Sequence, residues 1–219
     1  MTDQPSPDAR RGRRPGLFVA VEGGDGAGKS TQADALASWL REQGYAVLRT
    51  REPGGTTLGR SLRELVLHGE DGSVSPRAEA LMFAADRAHH VATVVRPALE
   101  DGQVVITDRY LDSSVAYQGA ARALGHEEVR ELSLWAVERL LPDLTVLLDV
   151  SAEQGRQRRG ELHDRVERED DDFHDRVRQG FLDLAAEAPG RYLVLDGEQD
   201  RDDIQAAVRE RVAGLVGRA

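Results

Sequence analysis

Short unbroken apolar runs alternate along the chain with stretches whose apolar positions recur three and four residues apart. "LFVAV" (17–21) opens the series, and five apolar residues with no polar face suit a strand buried on both sides. From Lys29 to Gln43 the apolar side chains fall at Ala33, Leu36, Ala37 and Leu40, a helical spacing closed by Gly44. "AVLRT" (46–50) predicts a second strand, and "LGRSLRELVLH" (58–68) a second helix through Leu58, Leu62, Leu65 and Val66. Residues 76–102 predict a long helix with Pro76 in its first turn, which Pro97 is expected to kink or interrupt. "VVIT" (104–107), "LTVLLDV" (144–150) and "RYLVLD" (191–196) complete five strands. A helix carrying Leu132, Trp135, Ala136 and Leu140 separates the third from the fourth, and a closing helix starts near Arg201.

Strands that alternate with helices need crossover connections, hence a parallel sheet covered on both faces. The expectation is one doubly wound α/β domain over 17–219, without repeats or a domain-scale linker. Residues 1–16 are polar, with Pro5, Pro7, Pro15 and a cluster of arginines. No apolar segment follows that cluster, so it is not a secretory signal, and the expectation is a disordered tail.

Composition narrows the function classes. The chain has 219 residues, 40% of them hydrophobic, enough for one soluble domain with a real core. A formal net charge of -10 argues against nonspecific binding of nucleic acid. There are no cysteines, which excludes disulfides, thiolate zinc sites and a cysteine nucleophile, and fits a reducing compartment. No apolar stretch approaches the roughly 20 residues a membrane helix needs.

Candidate chemistry begins where the first apolar run stops. In "EGGDGAGKST" (22–31), Gly23, four residues (Gly24, Asp25, Gly26, Ala27), then Gly28, Lys29 and Ser30 complete the phosphate-loop pattern G-x-x-x-x-G-K-[ST], with Thr31 following. The glycines let successive backbone N–H groups turn toward phosphate oxygens at the positive end of the next helix. Lys29 is then the residue that reaches the transferred phosphate, and Ser30 one that holds magnesium. Asp25 is unexpected, because a carboxylate repels a bare polyphosphate.

Other candidates sit at strand ends, where open α/β sheets gather their ligands. "VVITDRY" ends a buried strand with Asp108, placed to organise magnesium, and Arg109. "TREPGGT" (50–56) brings Arg51 to the same edge, where a guanidinium can take a phosphate or close a salt-bridged turn. Two arginines and a lysine suggest two phosphate-bearing ligands, as in a kinase. Phe83 and Arg87 share a helix face and could hold a base, although on spacing alone a core phenylalanine beside a surface arginine is the simpler account. His89 and His90 project about 100° apart and make a poor metal pair, so both are read as structural. "GRQRRGELHDRVERE" (155–169) is either a solvated charged helix or a mobile segment that closes over phosphates. The acidic run 169–172 reads as helix-start chemistry.

In order and spacing, "FVAVEGGDGAGKST", "TREPGGT", "LMFAADR", "ITDRYLDSSVAYQG", "PDLTVLLDV" and "RGELHDRVE" together resemble the thymidylate kinase family, from about Leu17 to the C-terminus. The resemblance implies a P-loop NTPase fold, with a five-stranded parallel sheet and a short lid at about 152–168. It implies transfer of phosphate from ATP to dTMP with magnesium, in dTTP biosynthesis. Gly23 to Thr31 would bind ATP. Lys29, Arg109 and the lid arginines Arg159 and Arg165 would be catalytic, with Arg156 a further candidate. Ser30 and Asp108 would serve the metal. Arg51 and Arg109 would hold the acceptor phosphate, Phe83 would stack on thymine, and Arg87 would bond its polar edge. Leu62 would wall the pocket, Ser114 and Gln118 would lie near the base, and Tyr117 would crowd the ribose 2′ position. Asp25 would face the acceptor.

Some relatives carry an arginine directly after the phosphate-loop acid. Here that residue is Gly26 and the lid is arginine-rich, which resembles the bacterial type with a lid arginine. The likeness also implies a cytoplasmic homodimer with no nucleic-acid or membrane partner. The competing readings are a kinase of another nucleoside monophosphate or of a deoxynucleoside, and a nucleotide-binding module or switch hydrolase without an acceptor.

Overall fold

A computed structural model describes residues 16–68, 73–158 and 164–216. The predicted tail lies outside them apart from Gly16, as do the lid residues 159–163. In chain order the elements are β1 (Phe18–Gly23), α1 (Lys29–Glu42), β2 (Val47–Arg51), α2 (Thr57–Leu67), α3 (Pro76–His90), α4 (Arg96–Glu100), β3 (Val104–Asp108), α5 (Leu111–Ser114), α6 (His126–Ala136), β4 (Leu144–Asp149), α7 (Ala152–Arg158), α8 (Asp171–Glu187), β5 (Tyr192–Asp196) and α9 (Arg201–Val216).

The five predicted strands form one sheet in the order β2-β3-β1-β4-β5, and every pairing is parallel. The three inner strands are buried almost throughout, as their unbroken apolar runs require. Two apolar cores flank the sheet. On one face Leu36 and Leu40 of α1 meet Val208 and Val212 of α9 across Val19 and Ile106. On the other, Phe18, Tyr110, Phe173 and Phe181 pack with Val91 and Val95.

The long helix does not break at Pro97. α3 passes into a π-helical turn, Val91–Val95, and then into α4. Pro97 lacks an N–H and its ring crowds the carbonyl four residues back, and one widened turn relieves both. A second π turn, Val115–Ala121, extends α5. The helix predicted through Leu140 stops at Ala136, with Glu138 and Arg139 both in the left-handed region. Trp135, one of its apolar positions, is 79% exposed, and Leu58 and Leu65 of α2 are also exposed. Helical spacing identifies an apolar face but not what covers it.

Parallel pairing aligns the carboxyl ends that matter. Val21 and Arg51 both pair with Asp108, one from each side. The loop after β1, the end of β2 and the residues after β3 therefore share one edge of the sheet.

Candidate active site

The phosphate loop runs from the end of β1 to the first residue of α1. Gly23 and Gly26 have positive φ, and each lies against backbone. A Cβ on Gly23 would sit 2.4 Å from the Leu148 carbonyl, and one on Gly26 would sit 2.3 Å from that of Gly155 in α7. No other residue type fits either place without movement. Gly26 is thus where the loop touches the start of the lid segment.

Lys29 is buried, and its Nζ donates to the Gly24 carbonyl at 2.6 Å. Burial, then the nearby Arg109, lower its pKa to about 8 against the partial compensation of Asp25 and Asp108. The Ser30 hydroxyl donates to Asp108 Oδ2 at 2.5 Å, so the two predicted metal residues stand side by side.

Arg109 follows β3 with a φ of 67°, an uncommon conformation for a side chain of its size. Its guanidinium donates to the Gly23 carbonyl (3.2 Å), Ser113 Oγ (3.0 Å), Tyr117 Oη (3.2 Å) and Asp25 Oδ1. Tyr117 in turn donates to Asp25 Oδ2 at 2.7 Å. Burial opposes ionisation of Asp25, but Arg109 and Lys29 outweigh it and hold the carboxyl well below the usual carboxylate range. Asp25 therefore braces Arg109 and is held in turn by Tyr117.

Beside this group lies a pocket that opens to solvent, with about 430 Å³ of empty space counted out to its mouth. Phe83, Arg87, Arg109, Ser114, Tyr117 and Gln118 all line it, as expected from sequence, joined by Glu52, Pro53, Leu67, Ser113 and Val166. Arg87 is not a surface arginine. It is buried and donates to Glu52 Oε2 (2.7 Å), Ser114 Oγ (3.2 Å) and the Tyr110 carbonyl (3.2 Å). These bonds fix the plane of a group that has five N–H donors in all. His90 bonds Glu52 Oε1 (2.8 Å) and Thr50 Oγ1 (2.7 Å), which makes it structural as read.

Two expected pocket residues are not on this wall. Arg51 is exposed at the end of β2, and Leu62 is half-buried on α2. Leu67, one and a half turns further along, takes the lining position.

The lid arginines are placed differently from one another. Arg165 does not reach toward the phosphate loop. It is buried, donating to the Val66 carbonyl at 2.9 Å and to Glu79 Oε2. A guanidinium so enclosed braces the lid against α2 and α3. Arg156 is ion-paired with Asp171 at the surface, and Arg159 lies outside the described residues. Asp170 caps α8 through the Phe173 amide at 2.8 Å, as the acidic run implied.

Three carboxylates escaped the sequence reading: Glu22, Glu52 and Glu79. Glu22 carried a signal, being a charged residue in an otherwise apolar strand. It is wholly buried and accepts from the Tyr110 amide (2.8 Å), the Ser113 amide (3.2 Å) and Ser113 Oγ (2.6 Å), fixing the backbone that follows Arg109. Burial, aided by Asp112, pushes its pKa up to about 7. Between pH 4.5 and 7 the folded state holds this proton more often than the unfolded state, so Glu22 makes stability fall as pH rises. Glu22→Gln, which mimics the protonated form, is expected to flatten that fall in denaturant melts at pH 5, 6, 7 and 8. An unchanged slope would show that Glu22 is not the group responsible.

A phosphate loop with its lysine, a Ser–Asp pair at the end of β3 and an adjoining cavity rich in arginine define a P-loop nucleotide phosphotransferase. Comparison with known proteins gives the particular kind. The family model for thymidylate kinase matches residues 21–208. A thymidylate kinase of Leifsonia xyli is 61% identical over 206 residues, covering 93% of this chain and 97% of that one. One of Bifidobacterium longum is 54% identical over 92% of this chain and 99% of its own. The crystal structure of thymidylate kinase from Ehrlichia chaffeensis superposes with a TM-score of 0.76 at 32% identity, covering 91% of this chain and all of that one. The chain belongs to the thymidylate kinase family. It is a dTMP kinase, with ATP as phosphate donor, in the dTTP pathway.

Proposed function

We propose that the cavity beside Arg109 receives dTMP and the phosphate loop receives ATP, with phosphoryl transfer across the junction that Arg109 occupies. One observation carries this reading: Arg109 bonds the loop through Gly23 and Asp25 and the cavity through Tyr117 and Ser113. A cation fixed at that boundary can hold the acceptor phosphate while it faces the donor. Lys29 follows the transferred group, and positioning with charge neutralisation supplies most of the rate. Phe83 stacks on the base, Arg87 offers its remaining N–H groups to the base edge, and Tyr117 crowds the ribose.

Magnesium fits the donor set. Ser30 and Asp108 offer two hard oxygens at the loop, and no larger His/Cys/Asp/Glu cluster able to hold a metal exists among the described residues. That suits an ion that takes one or two protein ligands and completes its shell with water and substrate phosphates. When bound, it neutralises charge on the phosphates.

An ADP-release assay across dTMP, dUMP, dCMP, dGMP, UMP and thymidine tests the acceptor. dTMP is expected to be preferred, and preference for any other would overturn the assignment. Phe83→Ala is expected to raise KM for dTMP by about 10-fold, the worth of one lost base–aromatic stack, with KM for ATP little changed.

The homodimer expected from the family is supported by Leu58 and Leu65 of α2, Leu81 of α3 and Trp135 of α6. These are exposed apolar side chains on helices that pack α2 on α3 and α3 on α6. Trp135→Glu should convert a sedimenting dimer to monomer. A dimer of unchanged strength would remove this face from consideration. No helix among the described residues is long and apolar enough to cross a membrane.

A further inference from the structure

Glu79 lies on α3 and is 1% exposed. Its Oε1 accepts from Gln118 Nε2 at 2.9 Å and from Arg122 Nε at 3.4 Å, and its Oε2 accepts from the lid residue Arg165. One carboxylate thus ties the lid to a side chain of the cavity wall, and the residue after Arg165, Val166, lines the same cavity. An ionised carboxylate only accepts hydrogen bonds. It therefore dictates the orientation of the Gln118 amide: the nitrogen must face Glu79, and the carbonyl oxygen is left for the cavity.

We propose that Glu79 is a positioning residue for acceptor selectivity. By pinning Gln118 it presents a hydrogen-bond acceptor to the incoming base. A pyrimidine with a ring N–H on that edge, as in thymine, is favoured over one with a lone pair there, as in cytosine. The inference rests on the assignment of this cavity to dTMP. The two arginines hold the Glu79 carboxylate in place against Gln118.

The test compares kcat/KM for dTMP, dCMP and N3-methyl-dTMP in the wild type and in Glu79→Gln. A neutral glutamine can offer either its oxygen or its nitrogen to Gln118, which frees the amide to turn over. Glu79→Gln is expected to narrow the preference for dTMP over both other substrates by at least ~10-fold, mainly through KM, because rejection by a hydrogen-bonding site depends on which group is left unpaired. A purely structural role would lower all three values by the same factor, and that result would overturn the proposal. If Glu79→Gln fails to fold, Glu79→Asp keeps the charge for the arginines but withdraws the carboxylate from Gln118. It should narrow the same ratios, and intact selectivity in that variant would also overturn the proposal. Phe83→Ala separates the two levels of inference. If it leaves KM for dTMP unchanged, the cavity assignment fails. If it raises KM while the Glu79 variants keep their selectivity, only the role of Glu79 fails.

Discussion

Replacing Lys29 by alanine is expected to lower kcat by at least ~100-fold, the usual cost of removing one preorganised stabiliser of transition-state charge. The fold should survive. The Nζ group donates to the Gly24 carbonyl, and losing this bond from a charged donor costs about 2 kcal/mol. For a domain of this size that moves Tm by roughly 4–8 °C. The environment of Lys29 also shapes the expected pH behaviour. With its pKa lowered to about 8 by burial and Arg109, the ammonium begins to lose its proton just above neutrality in the free protein. Bound phosphates add negative charge and restore it. ATP affinity should therefore weaken above pH 8 in the wild type, and this dependence should be reduced in Lys29→Ala. Steady-state kinetics with a melting curve decide the matter: turnover within a few-fold of wild type, in a folded variant, would remove Lys29 from the mechanism.

The parts of this site that were legible in the sequence are those whose chemistry is local. A strand buried on both faces must be apolar throughout, and a loop that wraps phosphate needs glycines at fixed offsets, so β1 and residues 23–31 could be read directly. Asp108 and Arg109 were legible because a strand's end has a known destination in a parallel sheet. The π turns were not legible, because they answer to crowding at Pro97 and to packing around Val115, which spacing does not encode. The buried carboxylates were hidden for a related reason. Glu52 and Glu79 are ordinary letters in the sequence, and each gains its meaning only from arginines 35 and 86 residues away. Arg87 shows the same ambiguity from the other side: one helix turn from Phe83, it is a surface residue until Glu52 encloses it. Arg165 is ambiguous for the same reason, because an arginine in a lid is equally suited to a phosphate and to a buried glutamate.

Asp25 pairs with Arg109 at the edge of the acceptor pocket, and that pair carries the second large effect. Arg109→Ala is expected to abolish most activity, at least ~100-fold in kcat/KM for dTMP, since it removes a charge-assisted anchor at the transfer junction. It should also destabilise the protein by about 3–5 kcal/mol, because it strands a largely buried carboxylate beside Tyr117. Asp25→Ala alone leaves Arg109 without its brace but still bonded to Gly23 and Ser113. It should impair use of dTMP more than binding of ATP, and equal loss of both would place Asp25 on the donor side instead. The double variant, Asp25→Ala with Arg109→Ala, separates structure from chemistry. Without either charge no uncompensated group remains, so much of the stability lost in Arg109→Ala should return, while activity stays as low as in the single arginine variant. Recovery of activity along with stability would mean that Arg109 serves only to neutralise Asp25. Failure of stability to recover would mean that Arg109 holds the loop chiefly through Gly23 and Ser113.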